Sequence, residues 1–136
     1  MARILVVDDD ALVRETVALA LRNAKHAVVE ASNGRQALDI LGRETVGLVV
    51  TDILMPEIDG IGLILAIHTQ YPSLRILCVS GGDSTGFTGY LPMAANLGAH
   101  MILAKPFTPQ QLLAAVETVL RMPAEPKAGD RATDER

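Results

Sequence analysis

Two short runs constrain this chain more than anything else in it. Ile4-Leu5-Val6-Val7 and Leu48-Val49-Val50-Thr51 are unbroken, rich in branched side chains and of strand length. A strand with one face in water alternates apolar and polar residues, whereas a continuous run suits a strand covered on both faces. Both runs end in carboxylates, Asp8-Asp9-Asp10 after the first and Asp52 after the second. Whatever sheet they form must be covered twice, and its strands must open onto acidic residues.

The rest of the chain supplies the covering layers. Leu12, Val13, Val17, Ala20 and Leu21 recur at helical spacing, which predicts a first amphipathic helix. Ala27 to Ala31 reads as a second strand. Ser32-Asn33 offers capping chemistry for a helix carrying Ala37, Leu38 and Leu41, which Gly42 is expected to end. Pro56 and Gly60 make Asp52 to Gly60 a loop, and a third helix runs from Ile61 to about Gln70, before Pro72. Arg75 to Ser80 is the fourth strand. Gly81 to Gly89 is a glycine- and hydroxyl-rich loop, followed by a helix from about Tyr90 to Leu97 with Pro92 in its first turn. Met101 to Ala104 is the fifth strand. Thr108, Pro109 and Gln111 form a capping box with proline at the first helical position. Leu112, Leu113, Val116 and Leu120 then give the last helix its apolar stripe.

Five strands alternating with five helices predict an α/β fold, a parallel sheet covered on both faces. The folded domain is expected over 1–122. From Pro123 to Arg136 the chain has two prolines, one glycine, seven charged residues and no large apolar side chain, which predicts a disordered tail.

Composition excludes several functions. The net charge of −4 gives no attraction to nucleic acid or an anionic membrane. Two Tyr, two Phe and no Trp leave few platforms for stacking bases. The longest apolar stretch, Ile61 to Ile67, is far below the roughly 20 residues that span a bilayer. The lone Cys78 can form no internal disulfide and sits in an apolar strand, an inert core thiol by expectation; a reducing, cytoplasmic setting fits. His26, His68 and His100 are assigned surface or packing roles.

In open parallel sheets, ligands bind at the carboxyl ends of the strands. The ends here carry Asp8-Asp9-Asp10, Asp52, Ser80 and Lys105-Pro106. If the first and third strands are neighbours, Asp8, Asp9 and Asp52 converge, and like charges so close repel unless a cation intervenes. Mg2+ suits a partial carboxylate set that leaves room for waters and a phosphate oxygen. Lys105 can grip a phosphoryl oxygen, Ser80 offers a hydroxyl, and the Lys105–Pro106 bond is a candidate cis peptide that would fix the direction of the lysine. A carboxylate can act as nucleophile toward phosphorus. The set therefore points to phosphoryl acceptance on Asp52, with Asp8 and Asp9 as metal ligands.

Taken in order, Ile4-Leu5-Val6-Val7-Asp8-Asp9, Asp52 to Gly60, Ser80-Gly81 and Lys105-Pro106-Phe107 resemble the receiver domain of bacterial two-component response regulators, over about residues 3 to 122. The resemblance implies a flavodoxin-like doubly wound sheet of order 2-1-3-4-5. It implies Mg2+ held by Asp9, Asp52, the backbone carbonyl of Leu54 and, through water, Asp8. It further implies a phosphoryl group arriving at Asp52 from a histidine kinase or phosphotransfer protein, with Ser80 and Lys105 contacting it. The output would be binding: the faces of the fourth helix, fifth strand and fifth helix would meet an effector or a second copy of the chain, with no nucleic acid or membrane contacted directly. The reading is of a stand-alone receiver, a switch that does not turn over substrate beyond self-phosphorylation from small donors and self-dephosphorylation.

Two positions depart from the family pattern. Ile102 stands where many receivers have an aromatic residue whose rotamer reports phosphorylation, so the Gly81 to Gly89 loop is expected to carry that signal through Ser80. Leu54 places an apolar group near the acceptor and is expected to slow loss of the phosphoryl group. Two other classes compete. An aspartate-nucleophile phosphohydrolase typically has a second acid two residues after the nucleophile, where this chain has Leu54. A phosphate-independent scaffold would not need the acids, hydroxyl and lysine together. A flavin site fails because three aspartates after the first strand would repel a flavin phosphate.

Overall fold

A computed structural model describes residues 2–52, 60–80 and 98–122, apart from the side chains of residues 60, 61 and 80. The helix expected over 90–97, the loop of residues 81–89, the loop residues 53–59 and the tail 123–136 lie outside the described residues.

The strands are β1 (Arg3–Val7), β2 (Ala27–Ala31), β3 (Leu48–Asp52), β4 (Arg75–Ser80) and β5 (Met101–Ala104). They form one parallel sheet in the order β2-β1-β3-β4-β5. The helices described are α1 (Ala11–Asn23), α2 (Gly34–Arg43), α3 (Gly60–Gln70) and α4 (Pro109–Leu120). This is the doubly wound, flavodoxin-like arrangement expected above.

Alternation along the strands divides the core in two. Leu5, Val7, Val49, Ile76 and Cys78 face α2 and α3, where they meet Ala37, Ile40, Leu41, Leu63, Ile64 and Ile67. Ile4, Val6, Leu48, Val50, Leu77 and Val79 face α1 and α4, where they meet Val17, Leu21, Leu112, Ala115, Val116 and Val119. Every residue of β3 is buried, as an unbroken apolar run demands. Ile102 is half-buried and packs on the α2–α3 side.

Several local expectations are corrected. Gly42 does not end α2; the helix continues to Arg43, with Glu44 at its C-cap donating its N–H to the Ile40 carbonyl. Leu12 shares the helical spacing of α1 but is 73% exposed, because the buried face is Val17, Ala18 and Leu21. The buried stripe of α4 is Leu112, Ala115, Val116 and Val119, with Leu113 and Leu120 only partly covered. β3 includes Asp52 rather than stopping before it.

The caps read from sequence form. Asn33 caps α2 by accepting from the Gln36 N–H at 2.8 Å. Thr108 Oγ1 accepts from the Gln111 N–H at 3.0 Å, while Gln111 Oε1 accepts from the Thr108 N–H at 2.8 Å, so two donors left over at the helix start are satisfied reciprocally. Gly98, just before β5, has φ +122°, and a Cβ there would lie 2.8 Å from His68 Nδ1 on α3. His26 is buried, accepting at Nδ1 from the Ala2 N–H at 3.1 Å with Glu117 of α4 near its other nitrogen. His100 Nδ1 accepts from the Ile76 N–H at 3.2 Å. These histidines take packing roles within the fold. Cys78 is fully buried, and burial pushes its thiol up, away from the reactive thiolate.

Candidate functional site

The site lies where β1 and β3 end side by side. Register pairs Val7 with Thr51, so Asp8 and Asp52 emerge from adjacent strands at the same level. Asp8, Asp9 and Asp52 each offer a carboxylate oxygen, and these atoms lie within 4.8 Å of one another. Asp8 and Asp52 are buried; Asp9 is exposed.

Lys105 enters from one residue past β5. Its Nζ lies 3.2 Å from Asp52 Oδ2 and 3.6 Å from Asp8 Oδ2. The Lys105–Pro106 peptide is cis. Among the described residues, the Lys105 ammonium thus faces two of the three clustered acids. Burial raises the Asp8 carboxyl above its usual range, with repulsion from Asp52 and Asp9 adding to it; the Asp10 N–H bond and Lys105 pull the other way.

The three consecutive aspartates divide their labour. Asp10 is the N-cap of α1, its Oδ1 accepting from the Leu12 and Val13 N–H groups. Asp8 Oδ1 accepts from the Asp10 N–H at 2.9 Å, so the first acid helps shape the turn that presents the second. The donor set fits a hard divalent cation: three oxygen ligands, one of them solvent-facing, with more negative charge than the lysine neutralises.

Of the residues expected at the site, Asp8, Asp9, Asp52 and Lys105 converge. Ser80 is the last residue of β4, level with Ala104 of β5, while its hydroxyl lies outside the described side chains. Leu54 lies outside the described residues. Sequence reasoning passed over Arg14 and Glu30. Arg14 Nη1 donates to the Asp8 carbonyl at 2.8 Å, and its Nε lies 3.2 Å from Glu30 Oε1 on β2. The signal was available: Arg14 follows Asp10 by one helical turn, and helix side chains lean toward the N-terminus.

A fold of this topology, with acids and a lysine gathered at the strand ends, is what receiver domains share, and comparison with known proteins gives the family. The family model "Response regulator receiver domain" matches residues 4–117. The chain is 35% identical over 119 residues to response regulator MprA of Mycolicibacterium vanbaalenii, covering 88% of this chain and 50% of that protein. It is 37% identical over 122 residues to sensor kinase CckA of Brucella abortus, covering 88% of this chain and 12% of that one. Among solved structures, the chemotaxis protein CheY4 of Vibrio cholerae superposes with a TM-score of 0.80 at 29% identity, covering 88% of this chain and 98% of that one. The chain spans about half the length of response regulators such as MprA. It belongs to the response regulator receiver domain family of two-component signal transduction.

Proposed function

We propose that this receiver domain is a Mg2+-dependent phosphoacceptor switch in which Asp52 takes a phosphoryl group from the phosphohistidine of a histidine kinase or phosphotransfer protein. The observation that carries it is the clustering of Asp8, Asp9 and Asp52 within 4.8 Å, with the Lys105 ammonium beside Asp8 and Asp52. Three carboxylates so placed are unfavourable unless something positive joins them. An arriving phosphoryl group brings more negative charge and sharpens that need.

In this reading a carboxylate oxygen of Asp52 attacks phosphorus as the bond to the donor nitrogen breaks, giving an acyl phosphate on Asp52. Asp9 and Asp52, with Asp8 and the backbone carbonyl of Leu54, would hold Mg2+, which would supply charge neutralisation on the transferring oxygens. Lys105 already points at Asp52 Oδ2 and takes one phosphoryl oxygen as a point charge. Ser80, at the end of the neighbouring strand, takes another. Modification adds roughly −1.5 to −2 charge at the strand ends. The answering change is read by an effector or a second copy of the chain at β5 and α4, together with the helix expected from sequence between β4 and β5. Like other receivers the protein acts as a switch rather than an enzyme of metabolism, and the reading places it in the cytoplasm. Among the described residues no helix is long and apolar enough to cross a membrane.

The test is incubation with MgCl2 and acetyl phosphate, followed by intact-mass analysis. The wild type gains one phosphoryl group only when Mg2+ is present, and Asp52→Asn gains none. Modification of Asp52→Asn, or none of the wild type under any condition including beryllofluoride with Mg2+ monitored by NMR, overturns the reading.

A further inference from the structure

We infer that Arg14 is a positioning residue for the acidic cluster, and that Glu30 holds it to that task; the inference rests on the reading of the cluster as a Mg2+ site. The turn from Asp8 to Asp10 is pinned by polar groups at each peptide. The Asp8 N–H donates to the Ala31 carbonyl at 3.1 Å. The Asp10 N–H donates to the Asp8 carboxylate at 2.9 Å. Between them, the Asp8 carbonyl accepts from Arg14 Nη1 at 2.8 Å. That carbonyl shares its peptide plane with the Asp9 N–H, so the guanidinium fixes the base from which the Asp9 side chain projects. Asp9 is the exposed member of the three acids, and its position depends most on the backbone beneath it.

Arg14 binds the carbonyl and leaves the carboxylates alone, which needs explanation. A guanidinium beside three acids would be expected to fork onto one of them. Glu30, on β2, prevents this: its Oε1 lies 3.2 Å from Arg14 Nε, and its Oε2 lies 3.2 Å from Arg22 Nη1. Arg22 Nη2 also donates to the Val28 carbonyl at 3.2 Å, which anchors Glu30 from its far side. The Arg14 side chain is 17% exposed, so the arrangement is half-sheltered from solvent screening. Glu30 thus satisfies Arg14 and keeps its charge from competing with a metal for Asp8 and Asp9. Groups of this kind, one bond removed from the ligands, commonly set metal affinity.

The test compares wild type, Arg14→Met, Glu30→Gln and Arg22→Met by calorimetric titration with MgCl2 and by metal-free amide hydrogen exchange. Arg14→Met is expected to weaken Mg2+ binding roughly tenfold. It should also speed exchange at the Asp10 amide more than at the Val50 amide in β3, which a general loss of stability would not do. Glu30→Gln, close to isosteric and so the safeguard if Arg14→Met does not fold, should move both readouts in the same direction by less. Arg22→Met, which removes the far anchor of Glu30 and no contact to the turn, should move both readouts less than Glu30→Gln does. A folded Arg14→Met or Glu30→Gln protein with wild-type Mg2+ affinity and unchanged relative exchange at Asp10 overturns the inference. If the wild type binds no Mg2+, the metal reading falls, and the exchange comparison still decides whether Arg14 positions the turn.

Discussion

Lys105 and Asp52 meet across the width of an intervening strand. β5 and β3 are separated by β4, a gap of about 10 Å at normal strand spacing, yet Nζ lies 3.2 Å from Asp52 Oδ2. A long side chain set just past the end of β5 is what closes that distance, and no shorter cation would. Lys105→Ala is therefore expected to lower the rate of phosphoprotein formation from acetyl phosphate roughly a hundredfold, the scale of losing one preorganised charge at a reacting group. Intact-mass time courses measure it. A rate within threefold of wild type would show that the contact is structural only.

Asp8 gives a pH dependence whose sign can be worked out. Burial, the largest influence, raises its carboxyl above the ordinary 3.8. A folded-state pKa above the unfolded one means the folded protein holds that proton more tightly, so Asp8 lowers stability as pH rises through the interval between the two values. Asp8→Asn should remove this loss and be more heat-stable than wild type at neutral pH without metal. Thermal melts across that interval and at pH 7 decide it; a wild-type melting temperature at or above that of Asp8→Asn at pH 7 would contradict the burial argument.

Added metal should reverse the same penalty. A free MgCl2 concentration a hundred times Kd stabilises by about 2.7 kcal/mol if only the folded state binds. The gain in melting temperature should shrink as pH falls and Asp8, whose carboxyl burial raises, takes up its proton, and should shrink also in Asp52→Asn. Calcium-free buffers with and without MgCl2 suffice for the measurement. An equal gain in wild type and Asp52→Asn would mean the ion binds elsewhere.

Thr108→Ala removes one half of a reciprocal cap on α4, the helix whose Leu112, Val116 and Val119 fill one core. The expected cost is about 1 kcal/mol. Urea unfolding should show it as a lower midpoint with an unchanged slope. Thr108→Ser, which keeps the hydroxyl, should recover most of it.

Gly98→Ala faces two obstacles, a φ of +122° and a collision with the His68 ring at 2.8 Å. Each is separable. The double change Gly98→Ala with His68→Ala should relieve the collision and leave the backbone strain, of about 1–3 kcal/mol. If both variants unfold at the same urea midpoint, contact with His68 contributes nothing.

The strands were legible because a sheet covered on both faces writes itself as unbroken apolar runs, and β1, β3 and β4 have such runs. The strand ends were legible for the same reason: the run stops where Asp8, Asp52 and Lys105 begin. Helix faces were less so. Leu12 and Leu19 repeat at helical spacing on α1 yet are 73% and 59% exposed, and periodicity alone does not say which of two apolar stripes meets the sheet. Nor could composition separate three adjacent aspartates into a buried acid, an exposed acid and a helix cap; that needs the backbone angles at Asp10. The Arg14–Glu30 pair joins residues 16 apart through packing of α1 on β2, a relation no local pattern encodes.

At the other pole of the sheet, Arg75 donates from Nε and Nη2 to the Met122 carbonyl, each at 3.2 Å. Arg75 opens the six-residue β4, whose far end reaches the level of the acids, so the two poles stand roughly 15–20 Å apart. Any segment joined after position 122 thus departs from the side farthest from Asp52. A charge added at Asp52 would bear on the point of departure at Met122 not by touch but through β4, β5 or α4, as a shift in how those pieces rest on one another.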